Sequence, residues 1–225
     1  MKSGRTGHVL LAVTLVAALS VAHEPAEAAP AMQGDIDQAV SILEGFRDMP
    51  ETSIPDSVFK KAKGLAILTV MKAGFIFSGR VGKGVVVARN DGKWSGPSAI
   101  GTGGAGFGFQ IGAQATQFVI VLNTPEAVKA FSRGGNVTLG GDLSVAAGPV
   151  GRSLAVDVTP LAAVYTYSRS QGVFAGVSLE GTVLVARDGR NEEFYGRKVE
   201  PSEILTGKVK PPPGAKKLLE ILSQH

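Results

Sequence analysis

Period-two alternation dominates the middle of the chain, and helical spacing brackets it. Ile36, Val40, Leu43 and Phe46 recur three or four apart with Ile42 beside them, which predicts a helix that Pro50 ends. Residues 29–34 read as a linker before it. A short helix is predicted over 55–63, with Pro55 in its first turn and Gly64 beyond its end. From Leu65 the pattern turns to strands: 65–70, 75–77 and 85–88 are β-rich runs separated by glycines, and Asn90-Asp91-Gly92 is a hairpin turn. Phe107, Phe109, Ile111 and Ala113 alternate with glycine and glutamine, which predicts one strand over 107–114 with an apolar and a glycine/glutamine face. Residues 118–122 read as a buried strand. Thr124 then caps a helix with Pro125 in its first turn and Gly134-Gly135 at its end. Alternation resumes at Val137, Leu139, Leu143, Val145 and Ala147, and three further strands are predicted over 162–168, 173–179 and 182–187. A short helix over 201–205, a stiff spacer at Pro211–Pro213 and an amphipathic helix over 216–222 close the chain.

Strands outnumber helices, and several are joined by links too short for a crossover helix. The expected fold is therefore α+β: a mainly antiparallel, glycine-rich, curled or barrel-like sheet with short peripheral helices. The 30 glycines among 225 residues suit such a sheet, because glycine within strands marks bulges, bends and close backbone approach.

The chain's start has a different character. Lys2 and Arg5 precede the uncharged run 9–22, and Ala26-Glu27-Ala28 follows. This is the layout of a secretory signal peptide cleaved near Ala28. An uncleaved anchor is the alternative, although fourteen helical residues span only about 21 Å of a roughly 30 Å hydrocarbon core. The expected organisation is a signal over 1–28 and one domain over 29–225, with a secreted, periplasmic or envelope location.

Chemistry is constrained by what is missing. Cysteine is absent, and the histidines are His8, His23 and the terminal His225. A Ser-His-Asp triad, a thiolate nucleophile and a zinc site of Cys or His are thereby excluded from the fold's interior. No metal, cofactor or enzymatic activity is expected. Residues 101–106 match the GxGxxG pattern, but strand alternation follows where a dinucleotide site needs a helix. Asp142, Asp157 and Glu180 read as ion-pair partners for Arg152 and Arg169, and Tyr165 and Tyr167 as core or rim residues.

Charge is segregated. Residues 60–93 carry Lys60, Lys61, Lys63, Lys72, Arg80, Lys83, Arg89 and Lys93 against Asp91 alone, a net +7. Residues 35–51 carry five acids against Arg47, a net −4. If the cations share a face they attract phosphate-rich surfaces; otherwise they form a solvated rim partly neutralised by the acidic helix. Nucleic acid is not expected as a partner, since no recognition motif accompanies the charge.

Seven strings taken together carry a resemblance: KAKGLAIL at 61–68, KAGF at 72–75, GKWSGPSAIG at 92–101, FGFQIGAQ at 107–114, LGGDLSVAAGPVGR at 139–152, YSRSQGVFAGVSLEG at 167–181 and FYG at 194–196. The chain resembles the SYLF domain family over about 36–207, and with its leader it is similar to an exported, bacterial-type member. The resemblance implies phosphoinositide or anionic-lipid binding, in some members actin-filament binding, and no enzymatic activity. It also associates lipid binding with an amino-terminal amphipathic helix, whereas the matching helix over 35–48 carries a net −3 here.

The expected function is a non-catalytic exported protein that binds anionic phospholipid through Lys60, Lys61, Lys63, Lys72 and Arg80. The alternative is a protein-interaction module for an actin-like filament or an envelope partner. The oligomeric state is left open.

Overall fold

The computed structural model describes residues 31–48, 53–74, 77–107, 112–149, 162–172, 179 and 181–224. Helix α1 (Ala31–Arg47) and the short α2 (Asp56–Lys61) lead into a run of strands: β1 (Gly64–Gly74), β2 (Phe77–Asn90), β3 (Lys93–Trp94), β4 (Ser98–Phe107) and β5 (Gly112–Leu122). Then come α3 (Pro125–Ser132), β6 (Asn136–Thr138), β7 (Val145–Ala147), β8 (Val164–Gly172), β9 (Val183–Ala186), α4 (Asp188–Tyr195), α5 (Pro201–Leu205), a 3-10 turn and α6 (Lys216–Leu222). The strands form one sheet in the order β6-β9-β4-β2-β1-β5-β8-β7, with β3 paired to β2. The β7–β8 pair is parallel and the other strand pairs are antiparallel. The result is the expected α+β fold, a curled half-barrel with helices at its periphery.

Both faces of the sheet are covered, which explains why its central strands read as unbroken apolar runs. Leu65, Ile67, Val85, Val87, Val119 and Tyr167 pack on one face with α1, α2 and α6. Residues of the opposite parity, among them Ala66, Leu68, Val86, Ile100, Phe118 and Ile120, pack on the other with α3 and Leu205 of α5. Helix α1 buries Met32, Ile36, Val40, Leu43 and Phe46 against the first face.

Some boundaries differ from the sequence pattern for local reasons. The glycines of 77–90 do not break that segment into short pieces: β2 runs unbroken through Gly79, Gly82 and Gly84. Residues 31–34 belong to α1 and are not a linker. Phe107 and Gln114 do not share a strand, because β4 and β5 are separated in the sheet by β2 and β1. The alternation over 137–147 is interrupted by a turn in which Asp142 accepts the Thr138 N–H at 2.7 Å. Helix α4 was not foreseen. The expected turns do form: Asp91 and Gly92 have φ of 47° and 79°, and Thr124 accepts the Ala127 N–H at 3.1 Å. The strand expected over 173–179, apart from Leu179, and Asp157, Glu180 and Arg152 lie outside the described residues.

Two tyrosine hydroxyls tie the first core to its loops. Tyr167 donates to the Pro149 carbonyl and Tyr195 to the Pro97 carbonyl, each at 3.0 Å. Burial raises both pKa values well above the ordinary 10.0, and for Tyr167 the neighbouring Tyr165 adds to the rise. The folded state therefore holds these protons where the unfolded chain has lost them. Their stabilising effect is complete below about pH 10 and is lost as pH rises beyond it. Melting temperature is expected to fall steeply above that point, and the Tyr167→Phe/Tyr195→Phe double variant to fall less steeply. Equal slopes would refute the assignment.

Candidate functional site

The basic run does not make one patch. Lys60 and Lys61 stand exposed on the last turn of α2, and Lys63 is exposed just before β1. Lys72 and Arg80 are half-buried at the other end of the β1–β2 hairpin, directly opposite each other in the ladder. Nine residues of strand separate Lys63 from Lys72, about 30 Å. The helix expected over 55–63 ends at Lys61, because Ala62 turns to extended backbone with φ −56° and ψ 131°. Lys63 is therefore set by the entry to β1, where its N–H donates to the Leu122 carbonyl at 2.8 Å.

Other cations of the run have structural partners. Arg89 Nη1 donates to the Lys60 carbonyl at 2.9 Å and the Phe59 carbonyl at 3.3 Å, closing the C-terminus of α2. Its guanidinium carbon lies 4.8 Å from the Trp94 ring centroid. Lys83 pairs with Asp35 at 3.0 Å, and Arg187 pairs with the second oxygen of the same carboxylate at 3.0 Å. Asp35 is the residue that charge counting missed: its side chain is 2% exposed, and it ties α1 to β2 and to the start of α4. The signal was an acid one position before the apolar stripe of α1, at Ile36.

The acidic character of α1 thus has a structural explanation. Asp35 meets Lys83 and Arg187, and Glu44 lies 3.9 Å from Lys217 of α6. The apolar face of α1 is turned into the core, so the docked helix does not present it to a membrane. Among the described residues no helix is long and apolar enough to cross a membrane.

Two exposed apolar residues were also missed. Met71 and Val81 are 59% and 64% exposed and directly opposite in the ladder. Alternation assigns them to the face of Ile67 and Val85, but they lie beyond Thr69 and Lys83, the last row that α1 reaches through Asp35.

The remaining candidates are structural. Residues 101–106 lie within β4, and the next described element is strand β5. Tyr165 and Tyr167 fill the first core. Arg169 donates twice to Gln117 Oε1, at 2.6 and 3.0 Å. Among the described residues no group of three His, Cys, Asp or Glu could hold a metal ion.

Comparison with known proteins places this framework. Residues 103–225 match the family model Ysc84, described as "Las17-binding protein actin regulator". The chain is 51% identical over 177 residues to the yeast LAS seventeen-binding protein 3 (Saccharomyces cerevisiae), covering 76% of this chain and 39% of that protein. It is 53% identical to the yeast protein YSC84 over the same length, covering 38% of it. It is 49% identical over 199 residues to the human SH3 domain-containing YSC84-like protein 1, covering 85% of this chain and 58% of that protein. The chain therefore spans from 38% to 58% of the length of these relatives.

These matches overturn the assignment to an exported, bacterial-type branch with a secreted, periplasmic or envelope location. They are to yeast and mammalian proteins in a family described as actin-regulating, and actin is an intracellular polymer. The reading of 1–28 as a secretory signal is withdrawn with it; residues 1–30 lie outside the described residues. Members of the matched family are non-catalytic scaffolding and binding proteins. By the extent of the family match and by its identity to the yeast and human relatives, the chain belongs to the SYLF/Ysc84 family of actin regulators.

Proposed function

We propose that this chain is a protein-interaction module that docks on the acidic surface of an actin-type filament through Lys60, Lys61 and Lys63. The observation that carries the reading is the exposure of these three lysines together at one end of the sheet. Lys83 and Arg89, from the same basic run, are held by structural partners. The family's description as an actin regulator supports the choice of partner. Exposed lysines act by long-range attraction, so binding weakens as salt rises.

Co-sedimentation of the full chain with actin filaments tests this. The Lys60→Glu/Lys61→Glu/Lys63→Glu variant is expected to fold normally, since surface changes cost within about 0.5 kcal/mol. It is expected to pellet at least about tenfold more weakly at low salt. A folded variant that pellets as the parent does would remove these lysines from the contact.

A second reading, an anionic membrane surface, has its own observation at the opposite end of the hairpin. There Met71 and Val81 are exposed on one sheet face, and Lys72 and Arg80 sit on the other. Exposed apolar side chains at a hairpin end that also carries cations, on its other face, suit the boundary between headgroups and acyl chains. Pelleting with anionic but not neutral vesicles, lost on Met71→Ser/Val81→Ser, is the result that reading requires.

A further inference from the structure

We propose that the groove between the proline strap 210–213 and helix α6 is a docking site for an acidic peptide segment of a partner protein, which seats one bulky apolar side chain there. The proposal does not rest on the filament reading, because α2 takes no part in the groove.

The groove is open and has a volume of about 710 Å³. That lies within the roughly 300–1,000 Å³ of ligand clefts. Pro211, Pro212 and Pro213 form one wall, and Leu219 of α6 contributes the apolar surface of the other. The core stripe of α6 is Leu218, Ile221 and Leu222, all buried. Leu219 stands off that stripe, is half-buried and turns to the groove.

Both walls are fixed, so the groove does not have to be built when a partner arrives. Pro212 holds φ −61° and ψ 158°, the polyproline II backbone, and Pro213 starts the 3-10 turn. Pro211 is backed by the chain at Gly96, where a Cβ would lie 3.4 Å from its Cγ. Gln33 Nε2 donates to the Gly214 carbonyl at 3.2 Å and ties the end of the strap to α1. On the other wall, Trp94 Nε1 donates to the Leu222 carbonyl at 3.0 Å, and Arg47 Nη1 to Gln224 Oε1 at 3.0 Å. A preformed apolar cleft is the setting in which one anchor side chain contributes most of a contact's affinity.

Charge complementarity sets the sign of the partner. Residues 207–219 carry Lys208, Lys210, Lys216 and Lys217 and no acid. Glu220 lines the groove, but Lys216 lies 3.7 Å from it, which leaves Lys210 as the net charge of the lining. The groove is also polar at both ends, with Lys210 and Lys216 at one and Ser223 and Gln224 at the other. Apolar in the middle and polar at its ends, it suits a single side chain flanked by peptide groups better than a continuous acyl chain.

Amide NMR of the full chain, titrated with the synthetic peptide acetyl-Glu-Asp-Trp-Asp-Glu-amide, tests the site. The amide signals of Lys216, Leu219 and Ser223 are expected to move and to saturate. The same peptide with glycine for tryptophan, and the same peptide with lysine for every acid, are each expected to bind at least about tenfold more weakly. Leu219→Gln and Lys210→Gln/Lys216→Gln are expected to weaken binding of the acidic tryptophan peptide by a similar factor. The lysine pair is exposed, so that variant decides the matter even if the one at 219 does not fold. The Lys60→Glu/Lys61→Glu/Lys63→Glu variant is expected to bind as the parent does.

Shifts that do not saturate, or that centre on α2 rather than α6, would overturn the proposal. Equal binding of the glycine peptide, or loss of binding in the variant at 60, 61 and 63, would do so as well, since the attraction would then be diffuse charge. Failure of filament pelleting with the peptide response intact sinks the filament reading and leaves the groove.

Discussion

Gly84→Val is expected to be the most damaging single substitution in the sheet. A Cβ at Gly84 would fall onto the Ile67 carbonyl and lie 2.6 Å from Leu68 Cα, so the obstacle is the backbone of β1 rather than a side chain that can swing away. Gly84 faces Leu68 directly in the ladder, on the face that packs against α3. Overpacking usually costs about 1–3 kcal/mol, and displacing a central strand belongs at or beyond the top of that range. A loss of about 3 kcal/mol lowers the melting temperature of a domain this size by roughly 6–12 °C. Gly79, five residues earlier on the same strand, has open space where its Cβ would be, so Gly79→Val is expected to change little. Equal melting temperatures for the two variants, read by circular dichroism, would show that β1 and β2 do not approach as described.

An effect at least as large concerns the ion cluster under α1, and its size depends on which partner is removed. Lys83→Met with Arg187→Met leaves the Asp35 carboxylate buried without a counter-charge. That is the situation that costs about 3–5 kcal/mol. Asp35→Asn leaves two cations instead, but the Lys83 and Arg187 side chains are 63% and 29% exposed and can turn to water. Its expected cost is about 1–3 kcal/mol, from hydrogen bonds lost at a buried site. Adding Asp35→Leu to the double methionine variant is expected to recover most of the loss, because no buried charge is then stranded. Urea denaturation of the four proteins gives the comparison. If the double variant were no less stable than Asp35→Asn, the carboxylate would not be held away from water.

Local grammar was readable from the sequence wherever a short-range rule fixes the backbone. Asn90-Asp91-Gly92 makes its turn because only that chemistry tolerates two consecutive positive φ values, and Thr124-Pro125 starts α3 because hydroxyl and ring serve the same helix end. Glycine misled the strand reading. At Gly82 and Gly84 of β2 it marks where neighbouring strands approach closely, not where the strand stops, and composition alone does not separate the two. Helix α4 has no apolar stripe to announce it. Its hold on the sheet includes Asn191, fully buried, whose side chain accepts the Ala99 N–H at 2.7 Å and donates to Ser98 Oγ at 3.2 Å.

The candidate site was legible as a list of charges and not as a place. Lys63 and Lys72 are close in sequence, yet an extended strand carries them to opposite ends of the hairpin. Lys72 and Arg80 are further apart in residues than Lys63 is from Lys60, but pairing of β1 with β2 sets them side by side. The buried role of Asp35 depends on Arg187, 152 residues away, which no local pattern reveals.

The order β4-β2-β1-β5 also bears on what can be cut from this chain and still hold together. The stretch recognised by the family model begins at Gly103, within β4, and includes β5 onward but neither β1 nor β2. Those two hairpin strands lie between the edges it retains, like the middle staves of a cask. A fragment starting there would keep β5 with no neighbour on its β1 side, leaving the backbone N–H and C=O groups of that edge unpaired, and with α1 gone it would uncover Val119 and Val121. The carboxyl-terminal stretch matched by the family model is thus a unit of recognition by sequence, while the smallest piece able to complete this sheet must reach back at least to the start of β1.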